Sequence, residues 1–199
     1  MKDIVVILDA GHGIDTPGKC SPDKSLFEWQ WNREIVAMLC ERLYGLNVHT
    51  VILVPEEHDV PLKERVRRVN TIYHDAKIAG KECLLISIHI NAAGHGTWNK
   101  ANGWSVWVSN NASEKSKQFA QIAYEQAKFL DLCGNRVVPK ENYWTSNFYI
   151  LKNTPCPAVL TENMFQDNKD DVEFLKSEEG KEKIVQLHFN AIKKYIEEF

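Results

Sequence analysis

The chain has 199 residues, is 44% hydrophobic and 26% charged, and carries a formal net charge of −3. That length fits one domain with a substantial core, and the absence of any Lys/Arg block argues against nucleic acid as a partner. No apolar run approaches the roughly 20 residues of a membrane span, so no membrane insertion is expected.

In chain order, Lys2 and Asp3 lead into Ile4-Val5-Val6-Ile7-Leu8, which ends at Asp9. This run is too short for the apolar region of a signal peptide, so synthesis in the cytoplasm without an export signal is expected. It reads instead as a buried strand over residues 4–8. A polar loop over 13–26 follows, and Trp31, Ile35, Leu39, Leu43 and Leu46 then recur on one helical face. A strand over 50–54 precedes a second helical stripe, Leu62, Val66, Val69 and Tyr73, with Pro61 suited to its start. Residues 83–90 read as a third strand, followed by a loop over 93–103 and a strand over 104–108. Phe119, Ile122, Ala123, Gln126 and Leu130 mark a third helix, which Gly134 is placed to end. After a loop over 138–146 come strands over 148–151 and 158–161 and a helical turn over 172–175. Ile184, Leu187, Ala191 and Tyr195 mark a last helix.

Strands alternating with helices predict an α/β fold. It is expected to be a single-domain sandwich with a mainly parallel, about six-stranded sheet and helices on both faces. No Pro/Gly/Ser-rich linker or repeat divides residues 1–199. Cys20, Cys40, Cys83, Cys133 and Cys156 are scattered and form no CxxC pair, which predicts free thiols.

Three strand ends carry ionisable side chains. His12 lies in Ala-Gly-His-Gly after the first strand, His89 in Ser-Ile-His-Ile-Asn at the end of the third, and Glu162 after Ala-Val-Leu-Thr in the last. Ligands in open α/β sheets collect outside the carboxyl ends of strands, so these positions converge on one edge. The two histidines also fit a tight turn and a hydrogen-bonded core residue. A glutamate at the inner end of a buried strand is costly unless partnered. Glu28 opens the first helix, where the dipole favours an acid in any case, and Glu34 competes with it on that helix. Two histidines, one glutamate and a spare carboxylate make the donor set of a catalytic zinc hydrolase. Asp9 fits equally a residue that orients a ligand and a turn residue. His49, His58, His74, His95 and His188 read as surface or core residues, with His95 held in reserve because it follows His89 in the same loop.

Taken together, these stretches resemble the zinc-dependent N-acetylmuramoyl-L-alanine amidases of the amidase-3 family. The resemblance rests on Leu-Asp-Ala-Gly-His-Gly at 8–13, on Glu28 with Asn32, and on Leu62-x-x-Arg65-x-x-x-x-Asn70. It continues through Ser-Ile-His-Ile-Asn-Ala at 87–92, Gly103-Trp-Ser-Val-Trp, and Pro-Ala-Val-Leu-Thr-Glu-Asn-Met-Phe at 157–165. It implies one Zn²⁺ held by His12, Glu28 and His89, with Glu162 as the catalytic acid/base. Asn32 also matches, which favours Glu28 over Glu34. Ala10 departs from a frequent Pro, Asn163-Met164 stands where a glycine is common before the Phe, and Arg65 and Asn70 lie one residue further apart than usual.

The implied substrate is peptidoglycan, cut between N-acetylmuramic acid and L-alanine by a catalytic domain that fills the chain without a separate wall-binding domain. A monomer is expected, acting on the wall after release as a phage or prophage lysin, or as a wall-remodelling enzyme. A non-catalytic peptidoglycan-binding module and another zinc peptidase are the alternatives. Trp98, Tyr143 and Trp144 are loop aromatics suited to stacking on sugars or to anchoring their own loops.

Overall fold

The computed structural model describes residues 3–94 and 96–198, so His95 lies outside the described residues. The first half of the chain forms β1 (Ile4–Ala10), α1 (Glu28–Tyr44), β2 (His49–Ile52), α2 (Leu62–Ile78) and β3 (Glu82–Asn91). The second half forms β4 (Ser105–Val108), α3 (Glu114–Phe129), β5 (Trp144–Thr145), α4 (Tyr149–Lys152), β6 (Ala158–Phe165), α5 (Lys169–Lys176) and α6 (Glu178–Glu198). Six strands make one sheet in the order β2-β1-β3-β6-β4-β5. The pairs among β2, β1, β3 and β6 are parallel, β4 runs antiparallel to β6, and β5 runs parallel to β4. This is the expected single-domain, mainly parallel α/β sheet.

The two-residue period of a strand divides its side chains between two cores. Val6, Leu8, Leu84, Ile86 and Ile88 pack with residues of α1, α3 and α6. Val5, Ile7, Leu85, Ala158 and Leu160 pack with residues of α2 and α4 on the other face. Central strands covered on both sides must be apolar throughout, which is why residues 4–8 carry no alternation. All five cysteines are free, as expected.

Two expectations fail locally. Residues 148–151 enter the helical turn α4 (Tyr149–Lys152) and form no strand, and the strand beside β4 is Trp144–Thr145, inside the expected loop. A four-residue apolar run fits a strand and a helical turn equally well. Here Phe148 packs edge-on against Trp107 with ring centroids 5.7 Å apart, and Ile150 and Leu151 are buried, so tertiary packing decides. Past the end of α3, Asp131 rather than Gly134 supplies the first left-handed residue, at φ 58°. Gly134 serves a close approach of two loops: a Cβ there would lie 2.1 Å from the Asn102 carbonyl oxygen.

A buried cation positions the site. Asp9 follows Ile7 on the α2 face and pairs in register with Ser87, whose hydroxyl donates to Asp9 Oδ2 at 2.6 Å. The Arg65 side chain, 2% exposed, reaches over from α2 and pairs with Asp9 Oδ1 at 2.7 Å. It also donates to the carbonyls of Val60, Ala10 and His12 at 2.8, 2.7 and 3.3 Å, and to Asp59 Oδ1 at 2.9 Å. One side chain thus ties α2 to the end of β1 and to the turn that carries His12. On the opposite face, His188 Nδ1 donates to the Ile184 carbonyl at 2.8 Å, and Nε2 faces the Thr161 hydroxyl at 3.0 Å. Burial pushes the His188 pKa down to about 4, against the pull of the Ile184 carbonyl.

Two outcomes follow for urea titrations. Arg65→Met should destabilise the protein by about 3–5 kcal/mol, because it leaves the Asp9 charge buried and alone. The unfolded His188 imidazole titrates near 6.5 and the folded one near 4, so between these values only the unfolded chain takes up the proton. His188 therefore contributes fully above about pH 6.5, and stability should fall by roughly 2 kcal/mol from pH 7 to pH 5. His188→Leu should lose this part of the acid sensitivity.

Candidate metal centre

Three elements deliver the donors. Beyond β1 the chain turns through Gly11-His12-Gly13, with His12 in the left-handed region at φ 60°. Gly11 leaves no room for a side chain, because a Cβ would lie 2.3 Å from His89 Cε1. Asn32 Nδ2 and Arg33 Nη2 of α1 donate to the Gly11 and His12 carbonyls at 3.1 and 3.0 Å, so the turn is held from two helices. Glu28 is the first residue of α1 and is fully buried. His89 lies in β3, and Glu162 stands beside it in register on β6.

These donors meet. Glu28 Oε1 lies 3.4 Å from His12 Nε2 and 3.1 Å from His89 Nδ1. One ligand atom from each of the three residues falls within 4.8 Å of the others. The Ile90 amide donates to Glu28 Oε1 at 3.0 Å, while Glu28 Oε2 is buried without a hydrogen bond, with the Lys19 ammonium 3.9 Å away. Glu34 takes no part, since it pairs with Lys181 instead. Donors bound about 2 Å from one zinc lie roughly 3–3.5 Å apart, so the spacings and the orphaned oxygen fit a small divalent cation.

Burial pushes the His12 pKa down to about 4, with Glu28 opposing and His89 adding to the fall, so His12 presents a neutral lone pair. Burial also disfavours charge on His89 and on Glu28, yet their mutual hydrogen bond prevails, raising the pKa of His89 and lowering that of Glu28. A cation bound there would compete with a proton for these two side chains, which would make its binding depend on pH. Among the described residues Glu162 has no such hydrogen-bonded partner. Burial pushes its carboxyl up to about 7, with Glu28 adding to the rise and His89, Lys19 and Arg136 opposing it. Its Oε2 is buried without a hydrogen bond.

A cavity of about 420 Å³ opens on His12, His89 and Glu162, with Arg65, Leu62 and Tyr149 in its walls. Leu62, expected on the buried stripe of α2, is half exposed and lines this space. A second cavity of about 400 Å³, bounded by Gly18, Gln166 and Asp167, shares Lys19 with the first.

His12, Glu28 and His89 thus come together with Glu162 alongside. Asp9 acts through Arg65, and Asn32 through the Gly11 carbonyl. His49, His58 and His74 are exposed, and His188 is a core residue. Trp98 stands under the Lys169 ammonium, 5.6 Å from its ring centroid, and Tyr143 packs against the core. Trp144 packs against Trp107 with the rings tilted. Lys19, Arg33 and Arg136 carry no sequence signal, since by pattern they are surface cations and their partners are distant carbonyls, carboxylates and rings.

The sequence matches the amidase-3 family, described as N-acetylmuramoyl-L-alanine amidase, over residues 6–194. An N-acetylmuramoyl-L-alanine amidase of Bacillus licheniformis is 28% identical over 191 residues, covering 95% of this chain and 67% of that protein. An endolysin of Bacillus phage SPP1 is 26% identical over 194 residues, covering 94% of this chain and 64% of that protein. The N-acetylmuramyl-L-alanine amidase of Mycobacterium smegmatis shares the fold, with a TM-score of 0.84 at 18% identity over 100% of this chain and 99% of that one. The chain belongs to the N-acetylmuramoyl-L-alanine amidase family, and it is an enzyme of that type, a hydrolase of cell-wall amides.

Proposed function

We propose that this chain uses one zinc ion to hydrolyse the amide between the lactyl group of N-acetylmuramic acid and the L-alanine of the stem peptide. The observation that carries this is the convergence of His12, Glu28 and His89 within 4.8 Å, beside the in-register Glu162. His12, Glu28 and His89 would hold the ion, and three protein ligands are the usual share of a catalytic zinc site. When bound, zinc supplies Lewis acidity toward water and the scissile carbonyl.

The chain's own groups do the rest. Glu162 takes a proton from the attacking water as the new C–O bond forms. It returns that proton to the alanine nitrogen as the C–N bond breaks. A carboxyl lifted to about 7 by burial suits both roles near neutral pH. Arg65, Arg33 and Asn32 keep the His12 turn in place throughout. Cavities on both sides of Lys19 suit a polymer that runs past the centre. Lysis and wall remodelling both fall within this proposal, and the likeness to a phage endolysin supports the first.

Mass spectrometry of products from purified peptidoglycan tests the proposal. Stem peptides beginning with L-alanine are expected, lost on chelation and restored by Zn²⁺. Cuts within the peptide would make the enzyme a zinc peptidase, and binding without release would make it a wall-binding module. Glu162→Gln should keep its zinc and lower kcat by about 10²–10⁴-fold. Near wild-type turnover in that variant would remove Glu162 from the mechanism. Gly11→Ala should instead lose zinc, read by metal analysis of the purified protein, because the new methyl collides with the His89 ring.

A further inference from the structure

On the α2 face of the sheet, His89, Glu162 and Ser105 stand in one rank across β3, β6 and β4. The registers pair His89 with Glu162 and Glu162 with Ser105. Facing residues in an antiparallel pair have Cβ atoms about 4.5–5.5 Å apart, so Ser105 is an immediate neighbour of Glu162. Ser105 is fully buried, and its Oγ accepts from Trp107 Nε1 at 3.2 Å and from Arg136 Nη1 at 3.3 Å. The Arg136 guanidinium carbon lies 4.9, 5.5 and 5.8 Å from the ring centroids of Trp144, Trp107 and Phe165. Trp107 and Trp144 pack against each other with their rings inclined by 32° and centroids 5.9 Å apart.

Three rings and one hydroxyl therefore hold a half-buried guanidinium next to Glu162. Among the described residues no carboxylate lies within ion-pairing distance of it, and Nη1 alone has a hydrogen-bond partner. Every buried arginine contact elsewhere at the site is used: Arg65 meets two carboxylates and three carbonyls. Arg136 is the exception. A guanidinium stacked on aromatic rings keeps its planar N–H edge free for a carboxylate, which it grips with two parallel hydrogen bonds.

We infer that Arg136 is a receptor for a carboxylate of the stem peptide, at the residue that follows the alanine. The inference rests on the reaction proposed above. Glu162 protonates the departing amine, so the peptide half of the substrate lies over β6 and β4, on the side of Arg136. Neighbouring strands are about 4.8 Å apart and an extended peptide rises about 3.3 Å per residue, so one strand beyond Glu162 is the reach of the second residue. Stem peptides carry at that residue either a free carboxylate or its carboxamide. Arg136 thereby sets a preference for the acid, since the amide brings no charge to the guanidinium.

Calorimetric titration of L-alanyl-D-glutamate and of L-alanyl-D-isoglutamine into the zinc-loaded protein tests this, alongside kcat and KM on the matching muramyl peptides. Wild-type protein should favour the acid by about tenfold or more in Kd and KM, with kcat changed far less. Arg136→Gln should treat the two alike, and Arg136→Lys should keep part of the preference, as a cation without the fork. Equal affinity of the wild-type protein for both peptides, no binding of either, or an undiminished preference in Arg136→Gln overturns the inference. Should Arg136→Gln fail to fold, the wild-type comparison decides alone. Acid preference in binding without any hydrolysis supports the receptor and removes the reaction, whereas hydrolysis of both peptides at equal KM does the reverse.

Discussion

Successive side chains of a strand point to opposite faces. On the α2 face this rule lines up Asp9, Ser87, His89, Glu162 and Ser105 across β1, β3, β6 and β4. On the other face the same strands present Leu8, Ile86, Ile88 and Val159 to the core with α1, α3 and α6. A one-residue slip of β6 would put Glu162 into that core and bring Thr161 beside His89. Each buried Leu, Ile or Val contributes about 1.5–3 kcal/mol, so inverting even part of a strand costs more than any single polar contact at the site returns. Apolar packing on the far side therefore fixes the register on which the polar rank depends.

Two buried charge clusters sit side by side, and they differ in how completely they are satisfied. Arg65 has a partner for each of its three nitrogens, and Asp9 has Arg65 and Ser87. Such a cluster fixes geometry more than it adds stability, because desolvation offsets much of the attraction. Its product is a turn in which His12 is held at φ 60°, a conformation that costs a non-glycine residue about 1–2 kcal/mol. The second cluster, His12, Glu28 and His89, keeps one carboxylate oxygen without a hydrogen bond. An unmet acceptor in a buried site costs free energy, and a bound cation would remove that cost. The satisfied cluster is the scaffold, and the unsatisfied one is the candidate metal centre.

Much of this was legible in the sequence where a signal is local. Residues 4–8 and 83–90 announce buried strands by composition, and the glycines around His12 announce a tight turn. His12, His89 and Glu162 stand out because each ends or follows an apolar run, whereas Glu28 only opens a helical pattern and the resemblance favours it over Glu34. What stayed hidden depends on partners far along the chain. Asp9 could be a turn residue or an orienting one until Arg65, across a gap of 56 residues, was seen against it. Arg136 is an ordinary loop arginine until Trp107, Trp144 and Phe165 gather around it. The turn at 149–152 was misread because four apolar residues have no period long enough to measure.

The departure at Asn163-Met164 also has a structural account. β6 pairs His89 with Glu162 but Asn91 with Phe165, so the register shifts by a bulge beside the centre. Met164 takes φ 63° there, a conformation glycine adopts freely and a longer side chain does not, which explains a glycine preference at that place. This chain meets the requirement differently. Met164 buries its side chain, and Asn163 Nδ2 donates to the His89 carbonyl at 2.9 Å while its Oδ1 accepts from Trp104 Nε1 at 2.7 Å. The amide side chain supplies a donor where the ladder is interrupted, and Trp104 anchors it to the core. Backbone strain on β6 is thus offset by a contact that fixes β3 at His89, and the bulge that distorts one strand helps to hold His89 in place on its neighbour.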